Sequence, residues 1–206
     1  MTPYHGSDTH FLLIILPAFI EPMVQHEKAI LRQEMLARRN SLSDGERKEK
    51  SDAIMARLFE ERHFREARCV ALYMPIGNEV DTRQMITRSV AEGKEVLLPF
   101  VASDHHLELR KFESFERLEK GRFAILEPIS QEKPVEDPHV IILPGVAFGL
   151  CMHRLGYGKG YYDRLLARLP SFRIGICFDV QVLDRLPRHS DDQRMNVIIT
   201  EKREIV

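Results

Sequence analysis

Val140-Ile-Ile-Leu143, Pro144-Gly-Val-Ala-Phe148 and Arg154-Leu-Gly-Tyr-Gly-Lys-Gly-Tyr-Tyr-Asp163 form the stretch that decides the fold. The branched apolar run reads as a central strand closed by a proline. Tyr162–Leu169 carries helical signals, and Phe172–Phe178 (FRIGICF) reads as the next strand. Strand, loop, helix and strand in that order make the unit of a parallel sheet. Ligands bind beyond the carboxyl ends of strands in such sheets, which is where the 144–163 loop falls.

The same alternation extends outward. Cys69–Met74 (CVALYM) is a buried strand stopped by Pro75, and Asp81 or Thr82 caps a helix ending near Gly93. Val96–Val101 (VLLPFV) and the alternating Leu107–Phe112 (LELRKF) are further strands, with Pro99 marking an edge or bulge. Val180–Leu186 carries helical signals, and Asn196–Thr200 (NVIIT) is the last strand. Ahead of the first strand, His26–Arg39 is rich in helix formers. Ser43 and Glu46 form a capping box that opens a second helix, running to about Arg62. The expected fold is α/β: a mostly parallel sheet with helices on both faces.

Composition removes whole classes of function. Lys plus Arg is 30 against 31 for Asp plus Glu, a net charge of −1, which lacks the basic excess of a nucleic-acid binder. With 206 residues, 44% hydrophobic and 30% charged, the chain is an ordinary globular one, long enough for one domain. Its three cysteines are too few and too widely spaced for a disulfide framework or a CxxC clip, so a cytoplasmic location is expected. Phe11–Ile20 (FLLIILPAFI) is too short to span a membrane, and no Lys or Arg precedes it as in a signal peptide. Residues 1–25 are read as an N-terminal extension to a single domain over 26–206, with Met23 as a candidate natural start. The mass of the intact protein from its native host tests that start.

Three features carry chemistry. In the first, Gly156, Gly158 and Gly160 alternate with Tyr157 and Lys159, letting the backbone approach a ligand and turn N–H groups outward. Arg154 and Lys159 add positive charge, and the helix that follows turns its positive end to the same place. The sum is a cradle for an anion, best a phosphate. It is neither GxxxxGK[ST], since Gly160 follows Lys159, nor GxGxxG. The plainer alternative is a flexible surface loop with incidental basic residues. Tyr157, Tyr161 and Tyr162 argue against it as a platform for a flat ring, although core packing serves Tyr162 equally well.

The second feature is the first helix. At 100° per residue Lys28, Arg32 and Arg39 fall within about 40° of one another, on the side opposite Gln33, Glu34 and Ala37. These cations need anionic partners, either carboxylates elsewhere or a ligand's phosphates. The third is carboxylate placement. Asp163 closes the glycine loop, Asp191 and Asp192 sit in a polar turn, and Glu79 follows the first strand. Asp163 with Asp192 offers the oxygen ligands that Mg²⁺ takes when it bridges to phosphate, although a helix-start charge and an ordinary turn explain them as simply.

Together these residues resemble the 5-formyltetrahydrofolate cyclo-ligase family. The resemblance covers Lys28 to the C-terminus and is most specific in Arg154–Asp163 (RLGYGKGYYD). Tyr73–Thr82 (YMPIGNEVDT), Gly121–Pro128 (GRFAILEP) and Asn196–Glu201 (NVIITE) support it. It implies an α/β fold of the sugar-phosphate isomerase and CoA-transferase kind, in a monomer or weak dimer acting on small molecules. The implied reaction is ATP- and Mg²⁺-dependent closure of 5-formyltetrahydrofolate to 5,10-methenyltetrahydrofolate. By the same resemblance Lys28, Arg32 and the loop residues Arg154, Leu155, Gly156, Tyr157, Gly158, Lys159, Gly160, Tyr161 and Tyr162 would bind ATP. Met74, Glu79 and Tyr161 would line the folate side, and Asp163, Asp192 and Asn196 would hold the metal.

The chain departs from the family pattern in three places. Gly149 stands where an acid often follows the phenylalanine, Met152 where glycine is usual, and Asn196 where a second Asp is usual. These departures keep open a folate- or nucleotide-binding protein without turnover. A sugar-phosphate or CoA-ester enzyme using Glu79 is the remaining alternative.

Overall fold

The computed structural model describes residues 9–104, 106–129, 133–135 and 137–206, with side chains from Pro22 onward. The first eight residues of the N-terminal extension and His105 lie outside the described residues.

The chain opens with α1 (Thr9–Asn40), which begins well upstream of the expected His26 and continues through Pro17 and Pro22. A proline removes a hydrogen bond without obliging a helix to end, so helix formers on both sides carried it through. The order then runs α2 (Asp44–Glu60), α3 (Arg62–Glu66), β1 (Cys69–Ala71), α4 (Arg83–Ala91), β2 (Glu95–Ser103) and β3 (His106–Lys111). It continues with β4 (Leu118–Lys120), β5 (Leu126–Pro128), β6 (Val140–Leu143), β7 (Ala147–Gly149), β8 (Arg154–Leu155) and α5 (Tyr161–Leu166). Last come β9 (Phe172–Ile176), β10 (Val182–Leu183), β11 (Val197–Ile199) and β12 (Glu204–Ile205). Ser43 caps α2 with the reciprocal Ser43–Glu46 box, satisfying donors that a helix start leaves open.

Among the described residues the main sheet has seven strands in the order β12-β11-β9-β6-β1-β2-β3. The inner five, from β11 to β2, pair in parallel, and β12 and β3 close the edges antiparallel. Each face of the sheet has its own core. Val70, Val96, Val140, Ile142 and Ile174 face Ile54, Leu58, Met85 and Ile86 of α2 and α4. Ala71, Leu97, Ile141 and Ile198 face Leu165 and Leu166 of α5 and Phe148 of β7. The fold is therefore mixed α/β with a mostly parallel sheet and helices on both faces.

The chain leaves β1 toward β2 on one side and β6 toward β9 on the other. The crevice between the carboxyl ends of β1 and β6 is thus the point where the winding reverses, the expected ligand position. A smaller sheet, β10-β7-β8, lies beside it, and α1 packs there through Met35 against Val146, Ala147 and Leu155.

Two local expectations are corrected. Val180–Leu186 is not a helix: a 3-10 turn at Asp179–Gln181 leads into β10, which pairs in parallel with Phe148 and Gly149. Gln181, buried, donates to the Gly145 and Val146 carbonyls, and this fixed contact overrides the helical propensity. The glycine loop also begins in strand conformation, Arg154 and Leu155 pairing with Phe148 and Ala147.

Candidate active site

A cavity of about 460 Å³ opens over the β1–β6 crevice. Tyr73 and Met74 reach it from the end of β1, and Pro144 from the end of β6. The loop from Arg154 to Asp163 forms one wall, and Lys28 and Arg32 of α1 close it. Every residue expected to bind ATP or folate lines this one cavity, and so do Asp163 and Asp192.

The inward stripe of α1 finds its partners here. Lys28 is buried, and its Nζ lies 2.6 Å from Asp192 Oδ2. Arg32 Nε donates to the Gly156 carbonyl at 2.8 Å. Gly158, at φ +92°, lies under the same guanidinium, and a Cβ there would come within 3.2 Å of Arg32 Cζ. This position needs glycine on both counts, for its left-handed backbone and for the close approach. Burial lowers the Arg32 pKa, with Asp192 opposing the shift.

Arg39, buried deeper, donates through Nη2 to the Tyr157 hydroxyl at 2.9 Å. Tyr157 in turn donates to Glu79 Oε1 at 2.9 Å. Glu79 Oε2 accepts the Ile76 N–H at 2.9 Å, closing the turn after β1. Burial pushes the Glu79 acid up, while Ile76, Arg39 and Tyr157 hold it down. Glu79 thus sits in the cavity wall as a nearly enclosed carboxyl group of fixed direction.

Arg154 Nη2 lies 3.2 Å from Asp163 Oδ1, and its guanidinium is 5.1 Å from the Tyr162 ring centre. Tyr162 therefore lines the cavity and packs into the core beneath α5. The Tyr161 ring meets Phe123 edge to face at 6.1 Å.

The metal expectation needs a correction. Asn196 does not line this cavity. It is exposed beside Arg173 and Ser171, and its Oδ1 accepts the Arg173 N–H at 2.8 Å, which pins the start of β9 to that of β11. Asp163 and Asp192 remain. Asp163 engages Oδ1 with Arg154 and the Gln193 N–H, and Asp192 engages Oδ2 with Lys28 and the His189 N–H. Among the described residues no group of three or more His, Cys, Asp or Glu is placed to hold a metal unaided. Two half-engaged carboxylates beside a phosphate cradle fit Mg²⁺, which keeps its waters and completes its shell from substrate phosphates.

The other departures from the family pattern also lie outside the cavity. Met152 is buried at φ +65°, a left-handed backbone that explains why glycine suits the position. At Gly149 a Cβ would lie 2.8 Å from Cys151 Sγ and 3.2 Å from Leu186 Cγ, so neighbouring side chains occupy the space of a larger residue.

Sequence reasoning missed the apolar end of the cavity. Phe123, Ile125, Leu126 and Glu127 line it from the segment before and within β5, together with Val101 and Leu107. Phe123 and Ala124 adopt φ of +63° and +57°. That strained turn aims an exposed aromatic ring at the cavity, and nothing in the local residue pattern announces it.

Fold and cleft together define a class, an α/β protein with a small-molecule cleft at the winding reversal of its sheet. The family follows from comparison with known proteins. The chain belongs to the 5-formyltetrahydrofolate cyclo-ligase family, whose model matches residues 24–201. A relative from Schizosaccharomyces pombe, a probable 5-formyltetrahydrofolate cyclo-ligase, is 32% identical over 75% of this chain and 85% of its own. The solution structure of Aquifex aeolicus 5,10-methenyltetrahydrofolate synthetase is 38% identical, with a TM-score of 0.78 over 86% of this chain and 91% of that one. The Mycoplasma pneumoniae synthetase is 26% identical, with a TM-score of 0.66 over 85% and 99%.

Proposed function

We propose that this chain closes 5-formyltetrahydrofolate to 5,10-methenyltetrahydrofolate at the expense of ATP. The observation that carries the reading is the cavity itself: four cations and a glycine-walled loop at one end, apolar walls at the other, and Glu79 on its lining. In the proposed reaction the formyl oxygen attacks the γ-phosphorus and ADP leaves. N10 then adds to the activated carbon and loses its proton, and phosphate departs with the former formyl oxygen. Phosphoryl transfer asks chiefly for positioning and charge neutralisation, so it needs no protein nucleophile.

Lys28, Arg32, Arg154 and Lys159 take the phosphates, with N–H groups of the glycine loop. Asp163 and Asp192 would hold Mg²⁺, which would neutralise charge on the transferring phosphoryl group. Asn196 plays no part in this reading. Met74, Glu79 and Tyr161 form the folate side, and Tyr157 fixes the direction of Glu79. The catalytic domain begins near residue 26, and the start of the family match at residue 24 supports that boundary. The cysteines, unpaired and two of them buried, suit a reducing compartment such as the cytoplasm. Among the described residues no helix is long and apolar enough to cross a membrane.

The near-ultraviolet absorbance of methenyltetrahydrofolate tests the proposal. Absorbance should rise only with 5-formyltetrahydrofolate, ATP and Mg²⁺ all present. Lys159→Ala and Asp163→Asn should each lower kcat/KM by about a hundredfold, the typical loss of one preorganised charge-stabilising group. Full turnover by both variants would overturn the site assignment.

A further inference from the structure

Glu127 is a second buried carboxylate of the cavity, set among its apolar lining residues. It lies in β5 and is 5% exposed, among cavity-lining residues that include Phe123, Ile125, Val101 and Leu107. Its surroundings give it little. Among the described residues it has no ion pair, and its one hydrogen bond, from the Val101 N–H to Oε2, is long at 3.4 Å. Oε1 has no hydrogen-bond partner among those residues. Burial pushes the acid up, while Val101 and the more distant Arg110 pull it down.

The fold makes room for this group without depending on it. The β4–β5 hairpin pairs through its backbone, with Glu127 opposite Glu119. Gly121 leaves space for the carboxylate. A Cβ there would lie 2.3 Å from both Cδ and Oε2 of Glu127, although the Gly121 backbone, at φ −86°, is open to other residues. A buried and underused carboxylate costs stability, and an apolar side chain would fill the same position without that cost. The missing partners are best supplied by a ligand.

On the reading of this cavity as a folate site, we propose that Glu127 determines specificity for the pterin by accepting two adjacent N–H groups from the 2-amino-4-oxopyrimidine edge. That edge carries the ring N3–H beside the exocyclic amine, a donor pair that a carboxylate meets with both oxygens. The flat, largely apolar ring suits the walls around Glu127. Adenine offers no such pair, since ring acceptors flank its amine. The two ends of the cavity therefore sort the two substrates, with the pterin edge at Glu127 and the phosphates of ATP at Lys28 and Arg32.

Equilibrium binding of 5-formyltetrahydrofolate and of its 2-desamino analogue, by calorimetry, tests this on the wild type, Glu127→Gln and Gly121→Ala. The wild type should prefer the natural folate by at least about tenfold, since a site built to accept an N–H group rejects a ligand lacking it. Glu127→Gln should weaken the natural ligand by about the same factor, leave the analogue nearly unchanged and so abolish the preference, with affinity for MgATP retained. Gly121→Ala, which displaces the carboxylate without altering it, should act in the same direction. Loss of both folates in equal proportion, or an unchanged preference in Glu127→Gln, would overturn the proposal and leave the folate reading standing. A wild type that binds neither folate would overturn the folate reading and this inference with it.

Discussion

The Tyr157 hydroxyl donates to Glu79 Oε1 at 2.9 Å, joining residues 78 positions apart in the chain. Through this bond the glycine loop fixes the direction of the carboxylate that follows β1, and Arg39 of α1 supports the phenol from behind. The bond also pulls the Glu79 pKa down against burial. In Tyr157→Phe that pull is lost, so Glu79 gains its proton at higher pH. The acid limb of the kcat/KM profile should move upward in pH. A limb that stays in place would show that another group titrates there.

The same shift predicts a dependence of stability on pH. Glu79 has a raised pKa in the folded protein, so its contribution is fully present below its unfolded value of about 4.3 and is lost as pH rises through the folded value. Glu79→Gln imitates the protonated acid and does not titrate. The stability of the wild type relative to Glu79→Gln should therefore fall as pH rises from about 4 into the neutral range. Urea unfolding of both proteins across that range measures the difference. A flat difference would mean that burial leaves the acid unshifted.

Lys28 carries two duties, and one substitution separates them. Its ammonium is paired with Asp192 at 2.6 Å, with 8% and 19% of the two side chains exposed, and both residues line the cavity. Lys28→Met keeps the aliphatic stem and removes the charge. Loss of a charge-assisted hydrogen bond of about 2 kcal/mol should lower the unfolding midpoint by roughly 4–8 °C in a protein of this size. If Lys28 also holds phosphate, KM for MgATP should rise about tenfold while KM for the formylfolate changes little. An equal rise in both would reduce Lys28 to a strut between α1 and the 188–192 turn.

The phosphate end of this cavity was legible because its residues are consecutive. Gly156, Gly158 and Gly160 with Arg154 and Lys159 declare their chemistry within one short segment, and the stripe Lys28, Arg32 and Arg39 follows from helical spacing. The apolar end was not legible. Phe123 reaches the cavity through a left-handed turn, and Glu127 is buried only because β5 folds back beside β2. Neither fact is local. Val180–Leu186 misled for the same reason, since its helical composition yields to the contact of Gln181 with the Gly145 and Val146 carbonyls. Asn196 misled through the resemblance, which places a second metal-binding Asp at its position: here its side chain lies outside the cavity and accepts the Arg173 N–H instead.

Phe148 shows how packing far from the ligands holds the site in place. Its side chain is fully buried between two glycines. A Cβ on Gly175 would lie 2.3 Å from Phe148 Cε1, and one on Gly145 would lie 2.6 Å from Cε2. Gly175 belongs to β9, a central strand of the sheet, so its backbone has no freedom to withdraw. Gly175→Ala should cost about 1–3 kcal/mol through overpacking. Phe148→Leu removes the obstructing ring atoms at the cost of a small cavity. In the double variant the alanine methyl enters that cavity, so the combined loss should be smaller than the sum of the single losses by at least about 1 kcal/mol. Urea midpoints of the three variants measure that coupling. Strictly additive losses would mean that Phe148 relaxes elsewhere. Pro144, beside Gly145, lines the cavity, so Gly175→Ala should also raise both substrate KM values, and Phe148→Leu in the same chain should restore them.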